Sequence, residues 1–325
     1  MKISTTLPFV LLGLFGVSTL HGADEPEVKL TPGETAIRKH LSDDDYRITT
    51  IRLWPNEAPD EPRPIGEETV VKGERGDRIE RVTQPSMTIA RPTNAPTPTP
   101  AVIVCPGGGY GSLGIETGGV DVVQWLKEAG VAGVYLKYRV PKRHQGYAMH
   151  HHALQDIQRA VCLLRSRAQE LQIDPDRIGV IGFSAGGNLA AMLSGNHGTM
   201  DRLYERIDKA DEASCRPNFV AMVAPAYLTD PILSDNLVPE LKLDTADRNQ
   251  TPPTFIASAT TDKFTVGSCH YLLALRDKRV SVELHLYERG GHAEGIHDGP
   301  DNQWPVMFKD WMLRKGLLGE SHAEK

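Results

Sequence analysis

Ser184 stands between two glycines in the run Gly182-Phe183-Ser184-Ala185-Gly186. The run Arg177 to Phe183 before it reads as a buried parallel strand, and Asn188 to Ser194 after it reads as a small-residue helix. A serine at such a strand-to-helix turn is held with its hydroxyl clear of the backbone, and glycines on either side let strand and helix approach closely. The first amides of the helix point at the same place and favour developing negative charge. These features make a nucleophile elbow and point to serine-based hydrolysis.

Upstream, Ala101 to Cys105 reads as a second buried strand, running into Pro106-Gly107-Gly108-Gly109-Tyr110-Gly111. Consecutive glycines free the backbone to turn N–H groups inward, as a tetrahedral oxyanion requires; losing one such donor costs about 3 kcal/mol of transition-state stabilisation. The hole is assigned to the amides of Ala185 and of Gly108 or Gly109. A nucleotide-phosphate loop is disfavoured, because no G-K-[ST] follows and no acid stands at a ribose-binding spacing. His292 lies in Gly290-Gly291-His292, directly after the alternating run Val280 to Tyr287, and Asp262 follows the apolar run Thr254 to Ala259. Ser184, Asp262 and His292 thus come in the order nucleophile, acid, base, each after a strand end.

The elements that must hold these groups alternate. Strands are expected at Ala101–Cys105, Val131–Tyr138, Arg177–Phe183, Phe219–Ala224, Thr254–Ala259 and Ser281–Tyr287. Helices are expected at Gly119–Ala129, His152–Glu170, Asn188–Ser194, Ser268–Lys278 and Trp304–Arg314. Alternation of this kind predicts an α/β fold with a doubly wound, mostly parallel sheet flanked by helices. Arg78 to Ile89 is expected to form edge strands, and Thr93 to Pro100 a surface loop. Only about thirty residues, mostly polar, separate Ala224 from Thr254. No large lid is therefore expected, and an open cleft suits a bulky polar substrate.

Several stretches carry a resemblance: Leu53-Trp54-Pro55, Ala58-Pro59, Pro106 to Tyr110, Leu136 to Pro141, Leu154-Gln155-Asp156, Gln158-Arg159-Ala160, Gly182 to Gly187, Pro225 to Leu228 and Gly290 to His292. Together they resemble α/β-hydrolases of the hormone-sensitive-lipase/feruloyl-esterase-like branch. More narrowly, they are similar to secreted bacterial acetylxylan-esterase-like proteins, some labelled endo-xylanases or dienelactone-hydrolase-like. The resemblance covers roughly residues 50 to 315 and implies the α/β-hydrolase fold, a Ser184-Asp262-His292 triad and a sugar-ester substrate. Two departures stand out. Pro106 occupies the place where lipase-type loops usually open with histidine, and the acid turn Asp262 to Val266 is one residue longer than usual.

Particular residues admit other readings. His150-His151-His152 invites a metal site, but neighbouring helical side chains point about 100° apart and do not converge; a polar helix start is expected. Glu116 and Asp121 are expected to cap a helix rather than to hold substrate. Tyr110 is a candidate substrate contact beside the oxyanion hole, with a packing role as the alternative. Glu294 or His297 could replace a triad member, and Asp230 and Asp244 are alternative acids. No metal and no organic cofactor is called for. The alternatives to an acetylxylan-esterase-like enzyme are a short-chain carboxylesterase, a feruloyl esterase, a serine peptidase, and an inactive carbohydrate-binding protein. A glycosidase would need two opposed carboxylates, and nothing singles out such a pair.

The 325 residues suffice for one large domain, and a formal charge of −6 gives no electrostatic case for nucleic acid or an anionic membrane. Lys2 followed by the apolar run Leu7 to Val17 reads as a signal peptide over residues 1–23, implying secretion or export to the periplasm. Residues 24–50 are expected as an exposed polar lead-in, 51–318 as the catalytic domain and 319–325 as a polar tail. Four cysteines make no disulfide framework, although Cys215 and Cys269 could form one bridge.

Overall fold

The computed structural model describes residues 29–41, 44–61, 65–143, 146–198, 202–292 and 303–318. The proposed signal peptide, Glu294, His297 and the C-terminal tail lie outside them. From Thr31 onward the chain forms one compact unit.

In chain order the elements are α1 (Pro32–Leu41), β1 (Tyr46–Arg52), β2 (Thr69–Val71), β3 (Arg78–Glu80), β4 (Ser86–Pro92), β5 (Thr99–Cys105), β6 (Leu113–Gly114), α2 (Asp121–Glu128), β7 (Ala132–Lys137), α3 (His151–Ser166), α4 (Ala168–Leu171), β8 (Ile173–Phe183), α5 (Ala185–Gly195), β9 (Phe219–Val223), β10 (Thr254–Ala259), α6 (Thr265–Asp277), β11 (Val282–Tyr287) and α7 (Trp304–Arg314). Eight strands form one sheet in the order β1-β4-β7-β5-β8-β9-β10-β11. β1 and β4 pair antiparallel, as do β4 and β7; the pairings from β7 through β11 are parallel. Strands β4, β5, β7, β9 and β10 are buried along their whole length, as expected of strands covered on both faces. β11, at the edge, is only partly buried.

The C-terminal helix closes one face. Trp304, Phe308 and Trp311 meet aromatic rings from three neighbouring strands: Phe183 at 5.5 Å from Trp304, Phe219 at 6.3 Å from Phe308 and Phe255 at 5.9 Å from Trp311. Trp125 of α2 lies 6.2 Å from Phe308, so α2 and α7 share that face. α3 and α5 pack together and against β8.

Two expectations need correction. Described residues of the 24–50 segment are no exposed lead-in: α1 buries Ile37 and Leu41, and β1 forms the first strand of the main sheet. Their polar composition hid this because a buried cluster of one lysine and two glutamates fastens the helix. Lys137 Nζ lies 2.7 Å from Glu68 and 3.6 Å from Glu34, all three side chains nearly inaccessible. Burial would raise the Glu34 carboxyl, but Lys137 and the Thr31 amide hold it below its ordinary value. Second, Arg78 to Ile89 splits. β3 belongs to a separate three-stranded sheet, β2-β3-β6, whereas β4 lies inside the main sheet.

The three histidines stand at the start of α3, as expected, and two of them also contact Asp60. His152 is buried, and its Nε2 lies 3.0 Å from the Asp60 carbonyl. His151 Nε2 lies 3.0 Å from the Asp60 carboxylate. Burial, with the neighbouring Arg139 guanidinium, lowers His152 from 6.5 to about 4. The folded chain therefore keeps this ring neutral at a pH where the unfolded chain protonates it, and stability falls as pH drops from 6.5 toward 4. The loss of melting temperature between about pH 7 and about pH 4.5 is expected to be smaller in His152→Asn than in the wild type, as read by thermal unfolding. Equal losses would contradict it.

Candidate active site

The elbow is built by backbone contact. A Cβ on Gly186 would lie 2.0 Å from the Cys105 carbonyl oxygen, and one on Gly182 would lie 2.0 Å from that of Gly186. Only glycine lets the end of β5, β8 and α5 meet at this distance. Ser184 between them takes φ 53° and ψ −117°, outside the regions open to ordinary residues at low cost. Its amide donates to the Val223 carbonyl at 3.1 Å, and its carbonyl accepts from Asn188 and Ala226, both at 3.0 Å. Those bonds hold the strained residue in place.

His292 Nε2 lies 2.6 Å from Ser184 Oγ, and His292 Nδ1 lies 2.8 Å from Asp262 Oδ2. A carboxylate only accepts, so Nδ1 carries the proton of the neutral ring and Nε2 is left to accept from the serine hydroxyl. Asp262 is buried, and its other oxygen accepts from the Phe264 amide at 3.1 Å. The chain leaving β10 is stitched to the chain leaving β11: the Thr260 amide donates to the Tyr287 carbonyl at 2.8 Å, and the Thr261 hydroxyl to that of Gly290. The Phe264 ring lies 4.8 Å from that of His292, tilted 45° to it. Asp230 and Asp244 stand apart from this line; Asp230 sits in a turn and Asp244 on a short helical turn at Leu243–Thr245.

The glycine loop takes backbone angles that favour glycine, φ 145° at Gly108 and 61° at Gly109. A Cβ on Gly108 would strike the Ser112 carbonyl at 1.9 Å. The amides of Gly108, Gly109 and Ala185 find no acceptor among the described residues, while the Gly107 and Gly108 carbonyls are taken by Gly114, Gly111 and Ser112. Donors are thus left open where an oxyanion hole needs them. Gly107 to Gly109, Ser184 and His292 line a cleft of about 630 Å³, with Phe183, Tyr227, Phe264, Arg75, Arg78 and Lys263 also on its walls.

Tyr110 requires correction as a substrate contact. It is 1% exposed, packs edge-on against Tyr138, and its hydroxyl donates to Asn188 Oδ1 at 2.8 Å. Tyr227 lines the cleft instead, from a position with φ 56°; its only sequence signal was the run Pro225 to Leu228. Glu116 caps no helix, as the start of α2 has no side-chain cap. Its Oε2 instead accepts from the Asp77 amide at 2.6 Å, fixing the turn between β2 and β3. Cys215 does not pair with Cys269. All four cysteines are free, and Cys215 donates to the His197 carbonyl at 3.2 Å. Among the described residues no group of three or more His, Cys, Asp or Glu is placed to hold a metal ion.

A mostly parallel sheet with its polar machinery at the strand ends defines the chain as an α/β-hydrolase by fold. It resembles the hormone-sensitive-lipase/feruloyl-esterase-like branch, and residues 87–242 match the BD-FAE family model. That segment includes Gly107 to Gly109 and Ser184 but ends before Asp262 and His292. The chain is 27% identical over 216 residues to an acetylxylan esterase of Xylanibacter ruminicola, covering 60% of this chain and 41% of that protein. It is 26% identical over 206 residues to endo-1,4-beta-xylanase B of Butyrivibrio fibrisolvens, covering 59% of this chain and 32% of that one. The chain therefore spans less than half the length of either curated relative. Among solved structures it is similar to an acetyl ester-xyloside bifunctional hydrolase from Caldicellulosiruptor lactoaceticus. The TM-score is 0.67 at 27% identity, covering 83% of this chain and 97% of that one.

The tight backbone crossing makes a prediction. Gly186→Ala should lose about 3 kcal/mol of stability or more, because the Cys105 carbonyl cannot retreat from a new methyl group. Gly130→Ala, where nothing lies within 4 Å of the added atom, should lose only the smaller cost of its positive φ. Thermal unfolding of the two variants checks this, and equal losses would refute it.

Proposed function

We propose that this chain is a serine carboxylic-ester hydrolase. It removes short acyl groups, acetate above all, from acetylated plant or algal polysaccharide of the xylan type. The observation that carries the reading is the hydrogen-bonded line Asp262–His292–Ser184 opening on a cleft with unengaged amides. As the Ser184 hydroxyl attacks the ester carbonyl, His292 Nε2 takes its proton and Asp262 steadies the charged ring. The amides of Gly108 or Gly109 and of Ala185 receive the oxyanion. His292 then protonates the sugar oxygen as its bond to the acyl carbon breaks, so that it leaves as a hydroxyl, and water repeats the sequence on the acyl-serine. The similarity to an acetylxylan esterase and to an acetyl ester-xyloside hydrolase supports the sugar ester as substrate.

A short acyl group suits the walls. Among the described residues only Phe183, Tyr227 and Phe264 offer large apolar surface there, beside arginines, a lysine, threonines, aspartates and glycines. The same observation favours one second reading, a short-chain carboxylesterase without glycan preference. The leading run with Lys2 and Leu7 to Val17 supports export, which sequencing the N-terminus of the exported protein would test by its start between Leu20 and Asp24.

Ser184→Ala is expected to lower kcat on the order of 10⁶-fold with the fold intact, and a fluorophosphonate probe should label Ser184 in the wild type alone. A folded variant keeping a tenth of wild-type activity would sink the nucleophile assignment. In a series of nitrophenyl esters from acetate to laurate, kcat/KM should be highest at acetate, since little apolar wall is available to gain the about 0.8 kcal/mol per buried methylene. Acetate should also be released from acetylated xylan. A rise toward long chains with no acetate release would replace the glycan substrate with a lipid-like one.

A further inference from the structure

We propose that the cleft recognises a carboxylate on its ester substrate, through a rim of cations formed by Arg75, Arg78 and Lys263; this rests on the esterase reading of Ser184. All three residues are exposed and line the cleft that holds Ser184 and His292. The chain as a whole carries a formal charge of −6, so a concentration of positive charge at this one place runs against its overall balance.

The carboxylates beside them are already engaged. Asp77 is paired with Lys72 Nζ at 2.8 Å. Asp262 is buried and occupied by His292 and the Phe264 amide. Neither Arg75, Arg78 nor Lys263 has an ion-pair partner among the described residues. Arg75 Nη1 donates to the His292 carbonyl at 3.2 Å, and Arg78 Nη1 reaches the Ser112 hydroxyl at 3.5 Å. Each guanidinium keeps further N–H donors open, in the forked geometry that suits a carboxylate. Lys263 Nζ is held 5.1 Å over the ring of Phe264, itself a wall of the cleft.

These cations are presented by a rigid support. The turn carrying Arg75 is closed by the Gly73 amide on the Gly76 carbonyl at 3.1 Å and by Glu116 Oε2 on the Asp77 amide at 2.6 Å. Gly76 has φ +101°, and a Cβ there would meet Glu116 Oε2 at 2.4 Å. Arg78 is paired in register with Gly114, at the end of the loop that begins with the oxyanion glycines. The small sheet β2-β3-β6 therefore fixes two cations relative to the reacting serine. A neutral acetylated glycan gives them no partner. The carboxylate can come from a uronate branch on the sugar that bears the acyl group, or from the acyl group itself as a half-ester of a dicarboxylic acid.

The test measures kcat/KM of the full chain on two matched pairs. One is acetylated xylo-oligosaccharide with and without uronate branches. The other is nitrophenyl hydrogen adipate beside nitrophenyl hexanoate, corrected for spontaneous hydrolysis. At low ionic strength the charged member of one pair should be favoured on the order of tenfold, and the preference should shrink in about 0.5 M salt. Arg78→Gln and Lys263→Gln should each lower the charged-to-neutral ratio several-fold. A response in the first pair puts the carboxylate on the alcohol side, and a response in the second puts it on the acyl side. Neutral esters turned over with no preference in either pair would overturn the proposal and leave the esterase standing. No hydrolysis of any of the four would overturn both.

Discussion

Everything at the strand ends depends on one backbone contact, the approach of Gly186 to the Cys105 carbonyl where α5 leaves β8 beneath the end of β5. That approach leaves no room for a side chain on either glycine of the elbow and fixes where the serine must go. Ser184 then has a backbone conformation that would relax if it were free. Three hydrogen bonds, to Val223, Asn188 and Ala226, keep it from doing so. The strain is local, and the restraint comes from the end of β9, from the segment after it and from the first turn of α5, so Ser184 is held by its surroundings as well as by its own turn.

Around the elbow, buried polar contacts do what hydrophobic packing cannot, because they fix direction as well as distance. Asp156, inside α3, accepts from the indole of Trp54 at 2.9 Å and from the Arg139 amide at 2.8 Å, with the Arg139 guanidinium against it. Arg139 reaches on to the Pro59 and His152 carbonyls. A chain wrapped over the outside of the sheet, from Leu53 to Glu61, is thereby tied to the helix behind β8. Asn188 makes the corresponding link on the other side, holding the Tyr110 hydroxyl with one end of its amide and the Tyr227 carbonyl with the other. The glycine loop and the chain after β9 are thus positioned by one side chain of the elbow helix, which ties the open amides of that loop to Ser184.

Part of the cleft wall has a different origin from the Ser184–His292–Asp262 line. The serine, the histidine and the acid come from the ends of β8, β11 and β10, whereas Arg75 and Arg78 come from a small sheet laid beside the glycine loop. Changes in that sheet can alter what binds without disturbing the parallel strands. Arg75 and Arg78 therefore lie on a support built separately from that of Ser184, joined to the rest of the cleft at Glu116 and at the Arg75 contact with the His292 loop, whereas Lys263 shares the turn of Asp262.

The sequence by itself determined the alternating elements from β5 to α7 and the residues Ser184, Asp262 and His292 at their ends. These are legible because buried parallel strands are continuous apolar runs, and glycines mark the places where backbone must come close. α7 and β10 coincide with their expected bounds at Trp304–Arg314 and Thr254–Ala259. What the sequence did not disclose are elements whose stability comes from distant partners. α1 and β1 looked like a solvated lead-in because Glu34 and Lys137 find each other only across about a hundred residues of chain. Tyr110 adjoins the oxyanion glycines in sequence, yet its ring is drawn into the core by Tyr138 and Asn188, while Tyr227 faces the cleft. Arg75 and Arg78 carry no local signal at all. Only the tertiary structure decided which side chains face the serine, because that is set by how separate strands pack and not by any spacing along the chain.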